Sequence, residues 1–163
     1  YGKTGKSFAK KLSGFNCNII FCDIKTNLGD NYAREVKINE LKETSDIISL
    51  HTNLNQSSHH IIDKQFIDDC KKSFYLINTA RGECVSNDDL IHGLESGKIL
   101  GAGLDVLENE NKDFEGMSDD QNLDKLKKFE NVILTPHIAG WSNESKIKLA
   151  QIIVDKIKEF LGL

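Results

Sequence analysis

The sequence lacks the features that mark several large classes of protein. It has no run of the roughly 18 apolar residues that a membrane-spanning helix requires, and no segment with the pattern of a secretory signal peptide. It contains a single proline, Pro136, and neither an internal repeat nor a low-complexity linker. These absences predict a globular domain with no membrane partner.

Positive charge and metal-binding patterns are also scarce. The net charge of −4 and the pI of about 5.7 argue against a nucleic-acid partner, since proteins of that class usually carry a basic face. The four cysteines form no C-x-x-C pair and have no zinc-like spacing, so no metal site is predicted. Free thiols are typical of reduced compartments, so we expect a cytoplasmic protein.

What the sequence does contain is a regular alternation of short apolar runs with segments of helical period. This pattern predicts one α/β domain with a parallel sheet. The predicted strands cover residues 16–23, 33–38, 46–52, 73–80, 99–106 and 131–137. The predicted helices cover residues 4–13, 38–46, 63–70, 86–98 and 143–161, with Asn39 and Ser86 as N-caps. Residues 107–130 are predicted to be an irregular surface segment.

The first twelve residues, "YGKTGKSFAKKL", read as the second half of a dinucleotide-binding fingerprint. Gly2 and Gly5 lead into a helix whose N-terminus favours a pyrophosphate. Asp23 stands at the end of the next predicted strand, 21 positions after Gly2, where this fold uses an acid to bind the adenosine ribose. A carboxylate there repels a 2′-phosphate, so the expected cofactor is NAD rather than NADP.

The fold class predicted from these features is α/β, with a Rossmann-type doubly wound parallel sheet. The first strand and the first glycine of the fingerprint would precede Tyr1, so we expect a piece of a longer polypeptide. That strand is central in a doubly wound sheet, and its absence predicts a break between its two neighbours.

Three polar side chains follow predicted strands and suit one reaction: Arg81, Glu110 and His137. A guanidinium can hold a carboxylate with two hydrogen bonds and polarise the neighbouring carbonyl. An imidazolium can protonate that carbonyl as hydride arrives, and a nearby carboxylate can orient the imidazole. Taken singly, each residue is as compatible with an ordinary surface charge.

Four stretches resemble the D-isomer-specific 2-hydroxyacid dehydrogenases: "NTARG" at 78–82, "GAGLDVLENE" at 101–110, "NVILTPHIAG" at 131–140 and the segment 40–62. The resemblance implies an NAD domain over residues 1–141 and a C-terminal helix, 142–163, leading back toward a separate substrate domain. It also implies a homodimer in the full-length form. Without that second domain, the 163 residues alone are expected to be inactive.

The resemblance also implies a role for each matching residue. Arg81 would bind the carboxylate of a 2-oxo acid, His137 would be the acid/base, and Glu110 would be the partner of His137. The cofactor-binding residues would be Gly2, Lys3, Thr4, Gly5, Asp23, Thr52, Thr79, Ala80, Asp105 and Gly140. Among these, Asp105 would lie near the nicotinamide carboxamide.

The substrate is left open among small 2-hydroxy and 2-oxo acids. The acidic stretch 111–130 and "HIAGW" are similar to some 3-phosphoglycerate dehydrogenases, which would place the protein in serine biosynthesis. Glycerate and lactate are alternative substrates. Two other functions remain open: an NAD-gated dimeric binding or corepressor-like module, and a Rossmann enzyme of another kind, such as a formate or homocysteine-linked dehydrogenase.

Overall fold

The computed structural model describes residues 1–108 and 121–162, which form six short strands, six α-helices and two 3-10 helices, Ser13–Phe15 and Gly82–Cys84. The strands are β1 (Ile20–Phe21), β2 (Arg34–Glu35), β3 (Ile47–Leu50), β4 (Phe74–Asn78), β5 (Ile99–Leu104) and β6 (Val132–Leu134). The helices are α1 (Lys3–Leu12), α2 (Ile38–Thr44), α3 (Lys64–Asp69), α4 (Asn87–Glu95), α5 (Gln121–Leu126) and α6 (Asn143–Leu161). All six predicted strand positions and all five predicted helix positions are therefore confirmed, with shorter strands.

The described strands pair in parallel and form two separate sheets. One contains β1 and β2, and the other has the order β3-β4-β5-β6. The break falls between β1 and β3, as the sequence predicted. Because the strands within each sheet are parallel, they all end at the same edge of that sheet.

The core of the four-stranded sheet lies against α3, α4 and α5. Its largest fully buried side chains include Phe74, Leu76, Leu90 and Ile99, which come from alternate positions of the strands and from α4. This alternation follows from the two-residue period of a strand. The buried face fixes the strands rigidly, which in turn fixes the loops at their carboxyl ends.

Three local predictions are wrong, and each error has a physical reason. The first strand is only two residues long because only Ile20 and Phe21 pair with a neighbouring strand, and the chain before them takes a left-handed turn at Asn16, with φ of 53°. Helix α2 starts after Lys37, so Asn39 lies inside the first turn and is not its N-cap. Within the stretch predicted to be irregular, residues Gln121–Leu126 form α5, because Leu126 is fully buried against the core. By contrast, Ser86 caps α4 as predicted, accepting a hydrogen bond from the Asp89 backbone N–H.

Helix α6 has the predicted boundaries, but none of its residues is buried. Large apolar side chains such as Ile147, Ile153 and Phe160 are well exposed along it. Among the helices that the structure describes, none has both the length and the apolar character needed to cross a membrane.

Candidate active site at the carboxyl edge of the sheet

The four central strands end level with one another. Leu50, Asn78, Leu104 and Leu134 occupy one row across the sheet, each paired with its neighbour in the parallel register. The residues just beyond this row include several of the predicted site residues, namely Thr52, Thr79, Ala80, Arg81, Asp105 and His137. Since the carboxyl edge of an open α/β sheet is where such folds bind ligands, this row defines the candidate site.

A buried amide shapes the turn that carries Arg81. The Asn78 side chain, only 1% exposed, accepts a hydrogen bond from the Ala80 N–H at 3.0 Å and donates one to the Arg81 carbonyl at 2.9 Å. Arg81 itself is exposed, and its Nη1 donates to the Ala80 carbonyl at 2.6 Å. The two hydrogen bonds of Asn78 thus fix the backbone of the turn, while the Arg81 guanidinium remains accessible to an anionic ligand.

The His137 loop is held by the Asp105 carboxylate. Oδ1 of Asp105 accepts hydrogen bonds from the Thr135 hydroxyl at 2.6 Å and the Ile138 N–H at 2.9 Å, while Oδ2 accepts one from the Ala139 N–H at 2.9 Å. The His137 N–H donates to the Asp105 carbonyl at 2.9 Å. His137 has φ of 53°, a left-handed conformation that a non-glycine residue adopts only when its surroundings impose it.

These contacts determine the ionisation of Asp105, which is 4% exposed. Burial alone would raise the pKa of Asp105. The hydrogen bonds from Thr135, Ala139 and Ile138, together with the charge of the nearby His137, outweigh burial and hold the pKa of this carboxyl below its usual value. The side chain is therefore a carboxylate over the whole physiological range and keeps the loop anchored.

Because the pKa of Asp105 is lowered in the fold, its contribution to stability is present above the unfolded pKa of about 3.9 and is lost as pH falls through the folded value. We expect Asp105→Asn to lower the free energy of unfolding at pH 7 by about 1–3 kcal/mol, because the amide places N–H groups against backbone donors. Urea denaturation from pH 7 to pH 3 measures this. The gap from wild type should shrink as the pH falls below about 3.9, because the wild-type carboxyl becomes protonated first in the unfolded chain and, at lower pH, in the fold.

The matched control is Asp124→Asn, because Asp124 is an exposed carboxylate in a surface pair with Lys127. Its removal should change the free energy of unfolding by less than about 1 kcal/mol. A gap between Asp105→Asn and wild type that stayed constant from pH 7 to pH 3 would show that the carboxylate charge does not anchor the loop.

The N-terminus of α1 fits a pyrophosphate. Gly2 is the N-cap, has no side-chain cap hydrogen bond, and is exposed. A Cβ atom built on Gly2 would meet nothing within 4 Å, so the packing of the described residues does not itself require glycine there. An approaching phosphate would use that space together with the free N–H groups of Lys3 and Thr4, where the helix dipole favours negative charge.

Gly5 faces the other way and is buried. A Cβ atom added there would lie 3.5 Å from the Cβ of His51, which is ordinary contact. Together with the ring contact between Phe8 and His51, whose centroids are 5.1 Å apart, this places α1 beside the carboxyl end of β3. The N-terminal part of α1 therefore lies near His51, the residue before the predicted site residue Thr52.

Asp23 stands just after β1 and is ionised. The Lys25 N–H donates to its Oδ1 at 2.9 Å. This hydrogen bond is the largest of the effects that lower the pKa of Asp23 despite its partial burial. A carboxylate that accepts hydrogen bonds at this strand end suits ribose hydroxyls and opposes a phosphate in the same place.

The remaining predicted residues are placed as follows. Thr79 and Asp105 line a shallow depression that Ile138 and Ala139 also border. The Ala80 side chain is buried in the core, so any contact that Ala80 makes with a cofactor would be through its backbone. Gly140 is exposed, with open space where a Cβ atom would be. Glu110 lies outside the described residues. Within residues 1–108 and 121–162, no group of three His, Cys, Asp or Glu side chains is placed to hold a metal ion.

Sequence reasoning missed three contributors: Asn78, Thr135 and the anchoring role of Asp105. Asn78 could have been noticed as the one amide in the apolar run "FYLIN", because a buried polar side chain at a strand end must find partners. Nothing in the sequence indicates that Thr135 and Asp105, 30 residues apart, form a hydrogen bond.

Comparison with known proteins agrees with this geometry. The protein-family model described as "D-isomer specific 2-hydroxyacid dehydrogenase, NAD binding domain" matches residues 1–139 of this chain. An aromatic 2-oxoacid reductase of Clostridium sporogenes is 36% identical over 98% of this chain and 50% of its own length. A D-lactate dehydrogenase of Staphylococcus aureus is 36% identical over 92% of this chain and 47% of its own length.

Solved structures lead to the same class. The crystal structure of a D-isomer specific 2-hydroxyacid dehydrogenase from Lactobacillus delbrueckii ssp. bulgaricus, in an NAD complexed form, superimposes with a TM-score of 0.88 at 33% identity. The alignment covers 99% of this chain and 51% of the chain in that crystal structure. The fold is thus an α/β Rossmann-like NAD-binding domain, as predicted.

The chain belongs to the D-isomer specific 2-hydroxyacid dehydrogenase family, within its NAD-binding domain. The family predicted from the motifs is confirmed, and so is NAD as its cofactor. The chain spans about half the length of the curated relatives that it matches.

Proposed function

We propose that the protein containing this domain is an NAD-dependent dehydrogenase that interconverts a 2-oxo acid and the corresponding D-2-hydroxy acid. One observation carries the proposal: the Asp105 carboxylate pins the His137 loop at the same sheet edge where Asn78 fixes the Arg81 turn. Strands β4, β5 and β6 are neighbours, so the two loops leave the sheet with only β5 between them.

NAD, when bound, supplies or accepts the hydride at C2 of the substrate. Arg81 would hold the substrate carboxylate with two hydrogen bonds and polarise the adjacent carbonyl. His137 would donate a proton from its imidazolium to the carbonyl oxygen as C2 is reduced, and take that proton back in the oxidative direction. We propose Glu110 as the carboxylate partner of His137, on the strength of its motif.

The cofactor would extend from Asp23, through the N-terminus of α1, toward Asp105. In this arrangement Lys3 and Thr4 offer backbone N–H groups to the pyrophosphate, and Thr52, Thr79 and Ala80 lie along the strand ends between the two regions. The Asp105 carboxylate accepts a single hydrogen bond at Oδ2 from Ala139, which leaves room for a nicotinamide carboxamide donor. Gly140 would allow the chain close to the ring.

For the substrate, we propose a 2-oxo acid with an apolar side chain, such as pyruvate or an aromatic 2-oxo acid. The D-lactate dehydrogenase and the aromatic 2-oxoacid reductase reported above support this class. They offer no support for 3-phosphoglycerate, which the acidic stretch 111–130 had suggested, or for a role in serine biosynthesis. We further propose that α6, with its exposed apolar side chains, leads to the substrate domain, and that the full-length protein is a cytoplasmic homodimer.

The substrate class is tested by following NADH oxidation by the full-length protein with pyruvate, phenylpyruvate and 3-phosphohydroxypyruvate. We expect turnover with one or both of the first two and formation of the D-hydroxy acid. Selective turnover of the phosphorylated substrate would overturn the substrate proposal and leave the dehydrogenase proposal standing.

Asp23 provides a test of cofactor choice. We expect Asp23→Ala to weaken NADH binding by about 10–100-fold through the loss of charged hydrogen bonds, and to narrow the preference for NADH over NADPH. Protein fluorescence, to which the exposed Trp141 after the His137 loop contributes, reports titration with each cofactor. Asp46→Ala is the control, because Asp46 is an exposed carboxylate at the opposite edge of the sheet. Unchanged NADH affinity in Asp23→Ala would place the ribose elsewhere.

A further inference from the structure

Besides Arg81 and His137, one further pair of side chains connects the Arg81 turn to the segment that follows β5. His60 and Glu108 are 48 residues apart in sequence, yet His60 Nε2 and Glu108 Oε1 are 2.5 Å apart. We propose that this pair consists of positioning residues that hold the Arg81 turn against the segment leaving β5, and so set the affinity for the 2-oxo acid. The inference rests on the proposed function and deepens it.

The His60–Glu108 pair is partly shielded from water, and both residues make further hydrogen bonds. The His60 and Glu108 side chains are 35% and 19% exposed, respectively. The second oxygen of Glu108 accepts a hydrogen bond from the Asn87 N–H at 2.9 Å, at the first residue of α4, where the helix dipole favours a carboxylate. Both oxygens of Glu108 are thus engaged in this tie, so its role differs from the one that we propose for Glu110.

The backbone of His60 is attached to the chain that follows Arg81. The His60 N–H donates to the Glu83 carbonyl at 2.8 Å, and the Ile62 N–H donates to the Cys84 carbonyl at 3.1 Å. His60 has φ of 49°, a left-handed conformation that these bonds must maintain. His60 therefore contacts the Arg81 turn through its main chain and the segment after β5 through its side chain.

The two segments also touch directly. A Cβ atom built on Gly82 would lie 1.8 Å from the Leu107 carbonyl oxygen and 2.6 Å from the Glu108 nitrogen. Only glycine permits this approach, so the backbone next to Arg81 lies against residues 107–108. A shift of Glu108 is therefore passed to the Arg81 turn, whereas Asp23 follows β1 of the other sheet.

This arrangement predicts a separation of kinetic effects. Loss of the tie should misplace the Arg81 guanidinium, which holds the substrate carboxylate, while the cofactor site is unaffected. A displacement of about 1 Å in a positioning group can cost up to about 100-fold in rate. We therefore expect the 2-oxo acid to bind more weakly and NADH to bind normally.

The experiment uses the full-length protein with pyruvate or phenylpyruvate, whichever is turned over faster. His60→Ala and Glu108→Ala should each raise the KM for the 2-oxo acid, and the inhibition constant of oxamate, by about tenfold. The KM for NADH should stay within about twofold of wild type. The double variant should be no worse than either single variant, because residues that act as a pair are not additive. His60→Gln, which can return a donor to Glu108, should recover part of the loss.

His92→Ala and Glu95→Ala are matched controls, since both side chains are exposed on α4, and they should leave every constant unchanged. If an alanine variant does not fold, His60→Gln and Glu108→Gln provide the same comparison, with smaller increases in the KM for the 2-oxo acid. Additive effects, equal losses for NADH and the 2-oxo acid, or no effect in an active enzyme would each overturn the positioning role alone. Failure of the wild-type protein to reduce any 2-oxo acid would overturn the proposed function and this inference together.

Discussion

Replacing His137 with alanine in the full-length protein is expected to lower kcat for 2-oxo acid reduction by about 10²–10⁴-fold. The reason is that the imidazole is the proposed proton donor to the substrate oxygen, held in a left-handed loop conformation that the Asp105 carboxylate maintains. NADH binding should survive, because Asp23 and the N-terminus of α1 belong to the other end of the site. Steady-state kinetics and a fluorescence titration with NADH measure the two quantities.

The control for this variant is His92→Ala, because His92 is an exposed histidine on α4, away from the strand ends. It should retain wild-type kcat and NADH affinity. A normal kcat in His137→Ala would remove His137 from the mechanism. Loss of NADH binding along with activity would instead give His137 a role in holding the cofactor.

The second large effect is expected for Arg81→Lys, which keeps the positive charge. Lysine cannot offer the planar pair of N–H donors that a carboxylate accepts, so the substrate would lose both a hydrogen bond and its alignment. We expect kcat/KM for the 2-oxo acid to fall by about 10²–10³-fold, with a raised KM as the main component. Steady-state kinetics with varied 2-oxo acid at saturating NADH provide the measurement.

The chain contains one other arginine, and it supplies the control for Arg81→Lys. Arg34 is exposed and paired with Glu40 at 2.7 Å, beside the two-stranded sheet. Arg34→Lys should leave kcat/KM unchanged within about twofold, since exposed pairs contribute little. Near-normal kinetics in Arg81→Lys would show that charge alone suffices, and that the bidentate geometry has no part in substrate binding.

The sequence could predict those parts of the site that depend on local sequence patterns. A strand followed by a polar residue is visible as an apolar run that ends in Asp23, Arg81, Asp105 or His137. Since parallel strands deliver their carboxyl ends to one edge, that pattern also predicts that Arg81, Asp105 and His137 lie at the same edge of the sheet. In the structure, the three strands end in one row formed by Asn78, Leu104 and Leu134.

The parts that the sequence could not predict depend on contacts between distant residues. Asp105 was expected near the nicotinamide because of its motif, and only the fold shows that its carboxylate caps the loop of residues 137–139. No local period in the sequence brings His60 to Glu108, 48 residues away. The lengths of the first two strands were overestimated for a related reason: local apolar character does not determine whether a neighbouring strand is there to pair.

The most direct test of the central claim is a crystal structure of the full-length protein with NADH and oxamate, an analogue of a 2-oxo acid. We predict that the oxamate carboxylate is held by the Arg81 guanidinium, that its carbonyl oxygen faces the His137 imidazole, and that the ribose hydroxyls bind Asp23. A ternary complex with oxamate away from Arg81 and His137, or with these two side chains on opposite sides of the bound nicotinamide, would contradict the account.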